Sequence, residues 1–259
     1  FLKFVENVLD EVADLFPSPY IHLGGDEAPT TKMATCPDCQ TRMRDNGLTN
    51  PEQLQTYFMN RLADHLSNKG KQIIGWNECL KEGLSPNIIG QYWTFMLTSE
   101  MRKQRAEVIR QINNGRKVIM SNAHYTYLDL PYVTILIQHT YSYEPLRVPG
   151  LKGIKEESSS NVLGVESPIW TEGVPDKDRL DFAVFPRLTA LAEVAWTMPE
   201  NKSWKDFKFR LNRFIERLKL LGINAADPEY LIKKSLFIQK IIGLRRFYFK
   251  NKQFEYHAY

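Results

Sequence analysis

Five runs of β-type residues alternate with stretches of helical periodicity, which predicts an α/β fold with parallel strands for this 259-residue chain. The carboxylates and aromatic residues suited to chemistry gather at the C-terminal ends of those runs, the active face of a β/α barrel. A closed barrel needs more units than the five or so found here. The expectation is therefore a partial TIM barrel of five or so βα units over residues 1–224. A helical, aromatic and basic extension over residues 225–259 follows.

The elements can be justified in order. Residues 1–16 place Phe4/Val5, Val8/Leu9, Val12 and Leu15/Phe16 on one helical face, and Pro17 and Pro19 stop the helix. A strand Tyr20–Glu27 leads into a long loop that carries two cysteines. Asn50-Pro51 opens a helix with Leu54, Phe58, Leu62 and Leu66 at i+4 spacing, closed by Asn68 and Gly70. Strands Lys71–Glu78 and Ile88–Thr94 come next, then a helix from about Ser99 to Asn113 and a strand Lys117–Ser121. Residues 125–160 read as loop-rich. Strand Val162–Ile169 precedes a helix around Phe182–Trp196. Ser203 and Asp206 resemble a capping box for a last helix with Phe207, Leu211, Phe214/Ile215 and Leu218 inward, ended by Gly222.

The most informative residues are Gly24-Gly25-Asp26-Glu27-Ala28, after Tyr20-Ile21-His22-Leu23. Successive side chains of a strand point to opposite faces, so Asp26 and Glu27 can serve one pocket only where the strand ends or kinks. The two glycines permit that, or a close approach of substrate. Two carboxylates in one cleft push their pKa values apart, which suits an acid paired with a charged stabiliser. On these residues alone, a solvated acidic turn is an equal reading. Downstream, Gly75-Trp76-Asn77-Glu78, Gln91-Tyr92-Trp93-Thr94, Tyr127-Leu128-Asp129 and Trp170-Thr171-Glu172 each follow a β-type run. Any one tryptophan reads first as a core or rim residue. The set fits a sugar site, which needs flat apolar faces for stacking and carboxylates for hydroxyls.

In order and in kind these motifs resemble glycoside hydrolase family 20, the β-N-acetylhexosaminidases. The carriers are His22-Leu23-Gly24-Gly25-Asp26-Glu27, Trp76-Asn77-Glu78, Trp93, Tyr127-Leu128-Asp129 and Trp170-Thr171-Glu172. Pro186-Arg187-Leu188, Ala190-Leu191-Ala192-Glu193 and Trp196 extend the match over roughly residues 1–222. The resemblance implies a retaining exo-β-N-acetylhexosaminidase that hydrolyses terminal β-linked N-acetylglucosamine or N-acetylgalactosamine. Its reaction would be substrate-assisted: the acetamido oxygen attacks the anomeric carbon and forms an oxazolinium intermediate. It also implies that the first three barrel strands and the sugar-binding arginine lie outside this sequence, so that the βα units present are the C-terminal ones.

Carried over residue by residue, Glu27 is the general acid and then the base. A buried, partly apolar setting beside Asp26 is expected to raise its pKa. Asp26 would accept from the acetamido N–H and stabilise its developing charge, and Tyr127 would donate to the acetamido oxygen. Trp76 and Trp93 would wall the acetamido-methyl pocket, and Trp170 would be the platform for the sugar face. Asp129 and Glu172 would accept from sugar hydroxyls. His22 and Glu78 are placed behind these groups, and Glu193 reads as structural, paired with Arg187. No metal and no cofactor is implied.

Three rival readings stand beside this one: a catalytically inactive carbohydrate-binding fragment, a metal-dependent hydrolase built on His22, Asp26 and Glu27, and a retaining glycosidase with Glu172 as nucleophile. Composition excludes other classes. No apolar run approaches membrane-spanning length, and nothing resembles a nucleic-acid motif. The net charge of +4 divides into +6 after residue 230 and about −2 before it. The chain opens inside a helical pattern without an initiator methionine, which predicts a fragment of a longer precursor. Family resemblance favours an exported protein, and open barrel edges would favour self-association.

Cys36-Pro37-Asp38-Cys39 has the spacing of half a zinc site, without the second ligand pair. A redox role calls for the pair at the opening of a helix in a thioredoxin-like unit, and the sequence places it in a loop. A loop disulfide or two plain thiols is the expectation.

Overall fold

The computed structural model describes residues 1–94, 98–132, 134–147 and 153–227. It divides into two units: Phe1–Met120 with Leu146–Gly164, and Ser121–Pro145 with the chain from Val165 onward. All but the first residues of the predicted 225–259 extension lie outside the described residues.

The first unit begins with α1 (Leu2–Leu15) and β1 (Tyr20–His22), followed by α2 (Thr30–Thr35), α3 (Pro37–Asp45) and α4 (Pro51–Ser67). Then come β2 (Gln72–Trp76), β3 (Ile89–Tyr92), α5 (Ser99–Asn113), β4 (Val118–Met120) and, later in the chain, β5 (Val162–Val165). The strands form one five-stranded sheet in the sequential order β1-β2-β3-β4-β5. The first three pairings are parallel, with Ile21 opposite Ile73, Gly75 opposite Gly90 and Gln91 opposite Ile119. A sequential parallel sheet with intervening helices is the arrangement of consecutive βα units, as expected.

Ile21, Ile73, Ile89, Val118 and Met120 of the strands are buried, as are Met59, Leu62 and Leu66 of α4 and Val108, Ile109 and Ile112 of α5, and α4 packs on β2 while α5 packs on β3. Asn50 caps α4 by accepting from the Gln53 N–H at 2.9 Å, and Pro51 sits where no N–H is needed. The buried stripe of α4 runs through Gln55, Thr56, Met59, Leu62 and Leu66, so Leu54 and Phe58 are only half-buried. Helix α1 docks on α4 through polar groups: Arg61 Nε to Glu6 Oε1 at 3.3 Å and His65 Nε2 to Asp10 Oδ1 at 2.7 Å. Leu9 and Ala13 are buried there, whereas Phe4, Leu15 and Phe16 of the predicted apolar face are exposed.

The second unit holds α6 (Ala123–Thr126), α7 (Ile137–Tyr141), α8 (Lys177–Val184), α9 (Arg187–Trp196) and α10 (Trp204–Leu220). Its core gathers Tyr132, Ile137, Tyr141, Ala190, Phe207, Leu211, Ile215 and Ala226. Half of the capping box at Ser203 is seen, its hydroxyl accepting from the Asp206 N–H at 3.4 Å, while the Asp206 carboxylate accepts from Arg210 Nε at 2.7 Å. Of the pair Phe214/Ile215, only Ile215 is buried.

Three sequence expectations need correction. The loop after β1 is two short helices, because Pro37 fits a first helical position and lets α3 start directly after α2. Residues 125–160 contain α7 and a 3-10 turn at Glu156–Asn161. The single helix around 182–196 is two, since Pro186 has no N–H to continue α8.

Candidate active site

The strand that carries the carboxylates is shorter than predicted. After His22 the chain leaves regular pairing, and Gly24 and Gly25 take φ of 73° and 92°. Those angles belong to the left-handed region, which a side chain rarely adopts. At Gly25 a Cβ would also meet the Cys79 Cβ at 3.2 Å. Gly75 on β2 is needed for a similar reason, as a Cβ there would lie 2.7 Å from the Cys79 sulfur. The turn is stitched to neighbouring elements. Leu23 N–H donates to Ile74 O at 2.9 Å, Trp76 N–H to Gly24 O at 2.8 Å, and Gln55 Nε2 to Gly25 O at 2.8 Å.

Glu27 itself has φ of 47°, unusual for a residue with a side chain and costing about 1–3 kcal/mol. Its N–H donates to Glu78 Oε2 at 2.7 Å, across 51 residues of sequence. The carboxylate of Glu78 thus holds the backbone of Glu27 in its strained form. Asp26 and Glu27 are both exposed, so the burial expected around Glu27 is not provided by this unit. The left-handed turn lifts the pair off the strand end. Glu78 is the half-buried carboxyl of the three, and desolvation raises its pKa, aided by the nearby charges of Asp26 and Glu27 and opposed by the Glu27 N–H.

His22 stands beneath the same turn. Its Nδ1 accepts from the Gly24 N–H at 3.0 Å, which places the ring proton on Nε2. The imidazole lies 4.7 Å from the Trp76 ring, and desolvation lowers its pKa below the usual 6.5 despite the charge of Asp26 and a hydrogen bond with Gln91. The unfolded chain therefore takes up this proton first as the pH falls. His22 contributes stability that is complete above about pH 6.5 and lost as the pH drops through the folded value. In paired denaturant titrations, His22→Asn should narrow its gap to the wild type as the pH falls below about 6.5. A gap that widens on acidification would contradict this assignment.

Trp93 is positioned by Asn77, whose Oδ1 accepts from the Trp93 N–H at 2.9 Å while its Nδ2 donates to Thr94 Oγ1 at 2.6 Å. The Trp93 indole Nε1 is buried with no hydrogen-bond partner among the described residues. Asn77, Gln55 and Gln91 are buried polar residues that sequence reasoning missed as positioning groups. A buried amide between two motif residues, as Asn77 is between Trp76 and Glu78, was the available signal.

In the second unit, Tyr127 is buried at the end of α6, and Leu128 N–H donates to Pro168 O at 2.9 Å. Asp129 is half-buried, with Oδ1 fully enclosed and unpartnered among the described residues. Burial raises its pKa, while backbone N–H groups of Asp129 and Trp170 favour the ionised form. An enclosed acceptor left without a donor is a costly arrangement. Trp170 is 44% exposed and Glu172 is exposed, so both are accessible.

Arg187 organises this segment. It is 1% exposed and donates to the carbonyls of Leu128, Leu130, Ile135 and Ala183, with its guanidinium 4.1 Å from the Tyr132 ring. The expected pairing of Arg187 with Glu193 is absent, because the guanidinium is consumed by carbonyls. Glu193 pairs instead with Arg210, Nη2 to Oε1 at 2.6 Å.

The three cysteines are free. Cys79 is buried, and desolvation pushes its thiol up to about 12, which leaves it inert. Among the described residues no group of three or more His, Cys, Asp or Glu is arranged to hold a metal, and no helix is long and apolar enough to cross a membrane.

Residues 1–199 match the family model for the glycosyl hydrolase family 20 catalytic domain. A β-hexosaminidase of Porphyromonas gingivalis is 35% identical over 238 residues, covering 87% of this chain and 29% of that protein. The β-hexosaminidase β subunit of Homo sapiens is 30% identical over 231 residues, covering 88% and 39% respectively. The chain thus spans well under half the length of the curated relatives it matches. Among solved structures, a family 20 exo-β-N-acetylglucosaminidase from Vibrio harveyi in complex with N-acetylglucosamine superposes with a TM-score of 0.76 at 30% identity, covering 87% of this chain and 36% of that one. A β-N-acetylhexosaminidase from Bacteroides fragilis gives 0.74 at 30% identity, covering 87% and 46%.

Proposed function

The chain belongs to glycosyl hydrolase family 20, and from that premise we propose that it supplies the acid/base centre of a retaining exo-β-N-acetylhexosaminidase. The substrate is a glycan ending in β-linked N-acetylglucosamine or N-acetylgalactosamine. The observation that carries the reading is the strained turn after β1, where Glu27 keeps φ of 47° under the hold of Glu78. Backbone strain held by a carboxylate–amide contact across the fold is the kind of arrangement that clusters at catalytic positions.

In this mechanism Glu27 protonates the glycosidic oxygen as it leaves and later removes a proton from the incoming water. Between these steps the acetamido oxygen of the substrate forms and then releases the bond to the anomeric carbon, so the configuration is retained. Asp26 accepts from the acetamido N–H, which becomes more acidic as positive charge develops in the oxazolinium ring. Tyr127 donates to the acetamido oxygen and holds it for attack. Trp76 and Trp93 flank the acetamido methyl, Trp170 offers the sugar an indole face, and Asp129 and Glu172 accept from its hydroxyls.

Asp26→Ala and Tyr127→Phe should each lower kcat more than they raise KM with an aryl N-acetylglucosaminide, because both act on a group whose charge changes towards the transition state. A thiazoline analogue of the intermediate should bind far more tightly than N-acetylglucosamine. Equal affinities for the two would leave substrate assistance unsupported. Binding of the sugar without turnover would favour a catalytically inactive carbohydrate-binding fragment.

A further inference from the structure

The glycosidase reading leaves Cys36 and Cys39 unused, and the fold puts them in a setting that the sequence did not suggest. Cys36 is the residue on which α2 ends and α3 begins: its N–H donates to Lys32 O at 3.1 Å, and its carbonyl accepts from the Gln40 N–H at 3.0 Å. Pro37 takes the first turn of the nine-residue α3, and Cys39 stands in that same turn. Both cysteines are free and partly accessible. A Cys-x-x-Cys pair with its first cysteine capping a helix is the arrangement in which one thiol becomes a nucleophile and the other resolves its adducts. Among the described residues no third metal-type ligand is grouped with them.

We propose that Cys36 and Cys39 form a thiol–disulfide exchange site that reacts with low-molecular-weight disulfides and closes into an internal disulfide. The Cys36 thiolate attacks one sulfur of the external disulfide, forms a mixed disulfide and releases one thiolate. Cys39 then loses its proton to solvent and attacks the Cys36 sulfur, closing the Cys36–Cys39 bond and expelling the second thiolate. The two protein sulfurs are oxidised, and the external disulfide takes both electrons as two thiols. The division of labour has an electrostatic basis. Hydrogen bonding from the Cys39 N–H, then from the Cys39 thiol, lowers the Cys36 pKa even against the charge of Asp38, whereas the Cys39 pKa is raised beside Cys36.

The test uses the reduced full chain with glutathione disulfide as the probe, read by intact mass and peptide mapping, and does not depend on glycosidase activity. The wild type should lose two hydrogens within the Cys36–Cys39 peptide and retain no adduct. Cys39→Ser should trap a glutathione adduct on Cys36, whereas Cys36→Ser should stay largely unmodified. Alkylation by iodoacetamide at neutral pH should label Cys36 about tenfold faster than Cys39. Equal adduct formation on the two single variants, or a wild type that holds the adduct without closing the ring, would overturn the proposal and leave two ordinary surface thiols.

Discussion

Glu27→Gln should abolish hydrolysis of N-acetylhexosaminides with basic leaving groups while largely sparing those with activated aryl leaving groups. The substitution is nearly isosteric and keeps the Glu27 N–H that donates to Glu78 at 2.7 Å, so the turn should persist and only the transferable proton is lost. General-acid assistance is worth roughly 10²–10⁴-fold, and the demand for it grows with leaving-group basicity. Rates with an aryl glycoside of low phenol pKa therefore form the internal control. The measurement is kcat/KM across a series of aryl and alkyl N-acetylglucosaminides. The dependence on leaving-group pKa should steepen in the variant. A uniform loss across the series would remove Glu27 from the acid role, since kcat/KM reports the glycosylation step.

Arg187→Met should be the most damaging substitution for stability. Methionine fills much of the space but leaves the carbonyls of Leu128, Leu130, Ile135 and Ala183 without their buried donor. Each unsatisfied buried acceptor costs about 1–3 kcal/mol, and relaxation of the segment returns part of that. A net loss of roughly 3–5 kcal/mol, the range for breaking a buried charged network, corresponds to a fall in Tm on the order of 10 °C. Arg187→Lys should rescue little, because one ammonium cannot reach the acceptors that the planar fork serves together. Since Leu128 and Leu130 flank Asp129, the variant should also lose affinity for sugar at temperatures where it remains folded. Thermal denaturation checks the first effect and KM the second. A Tm within a degree or two of the wild type would show that water replaces the guanidinium at little cost.

Several elements were legible because their determinants are local. Pro51 after Asn50 marks a helix start, Ser203 marks another, and the strand cores Ile73-Ile74, Ile88-Ile89 and Val118-Ile119 announce themselves by composition. The alternation of these runs with amphipathic stretches was enough to give a parallel sheet. Strand ends were less legible. The predicted strands Tyr20–Glu27, Lys71–Glu78 and Ile88–Thr94 ran on into the motifs that end them, since side-chain type cannot show where the ladder stops. At Tyr20–Glu27 the ladder stops at His22, because Gly24, Gly25 and Glu27 all have positive φ. The short helices α2, α3 and α7 were missed for the complementary reason: a few residues carry too little periodicity, and packing decides them.

By itself, then, the sequence determined the order of the βα units and the chemical types delivered at their ends, together with the family they resemble. Those properties follow from side-chain volume, period and caps, which act within a few residues. Only the tertiary structure decided that the Glu27 backbone is strained and held by Glu78, 51 residues away, and that Asn77 fixes Trp93. It likewise decided that Arg187 braces the segment around Asp129 through carbonyls up to 59 residues distant, and that Cys36 opens a helix. Hydrogen bonds across such separations depend on where the backbone brings donors and acceptors together. Nothing in the identity of a glutamate or an arginine specifies which distant carbonyl or N–H it will meet until the chain has folded around it.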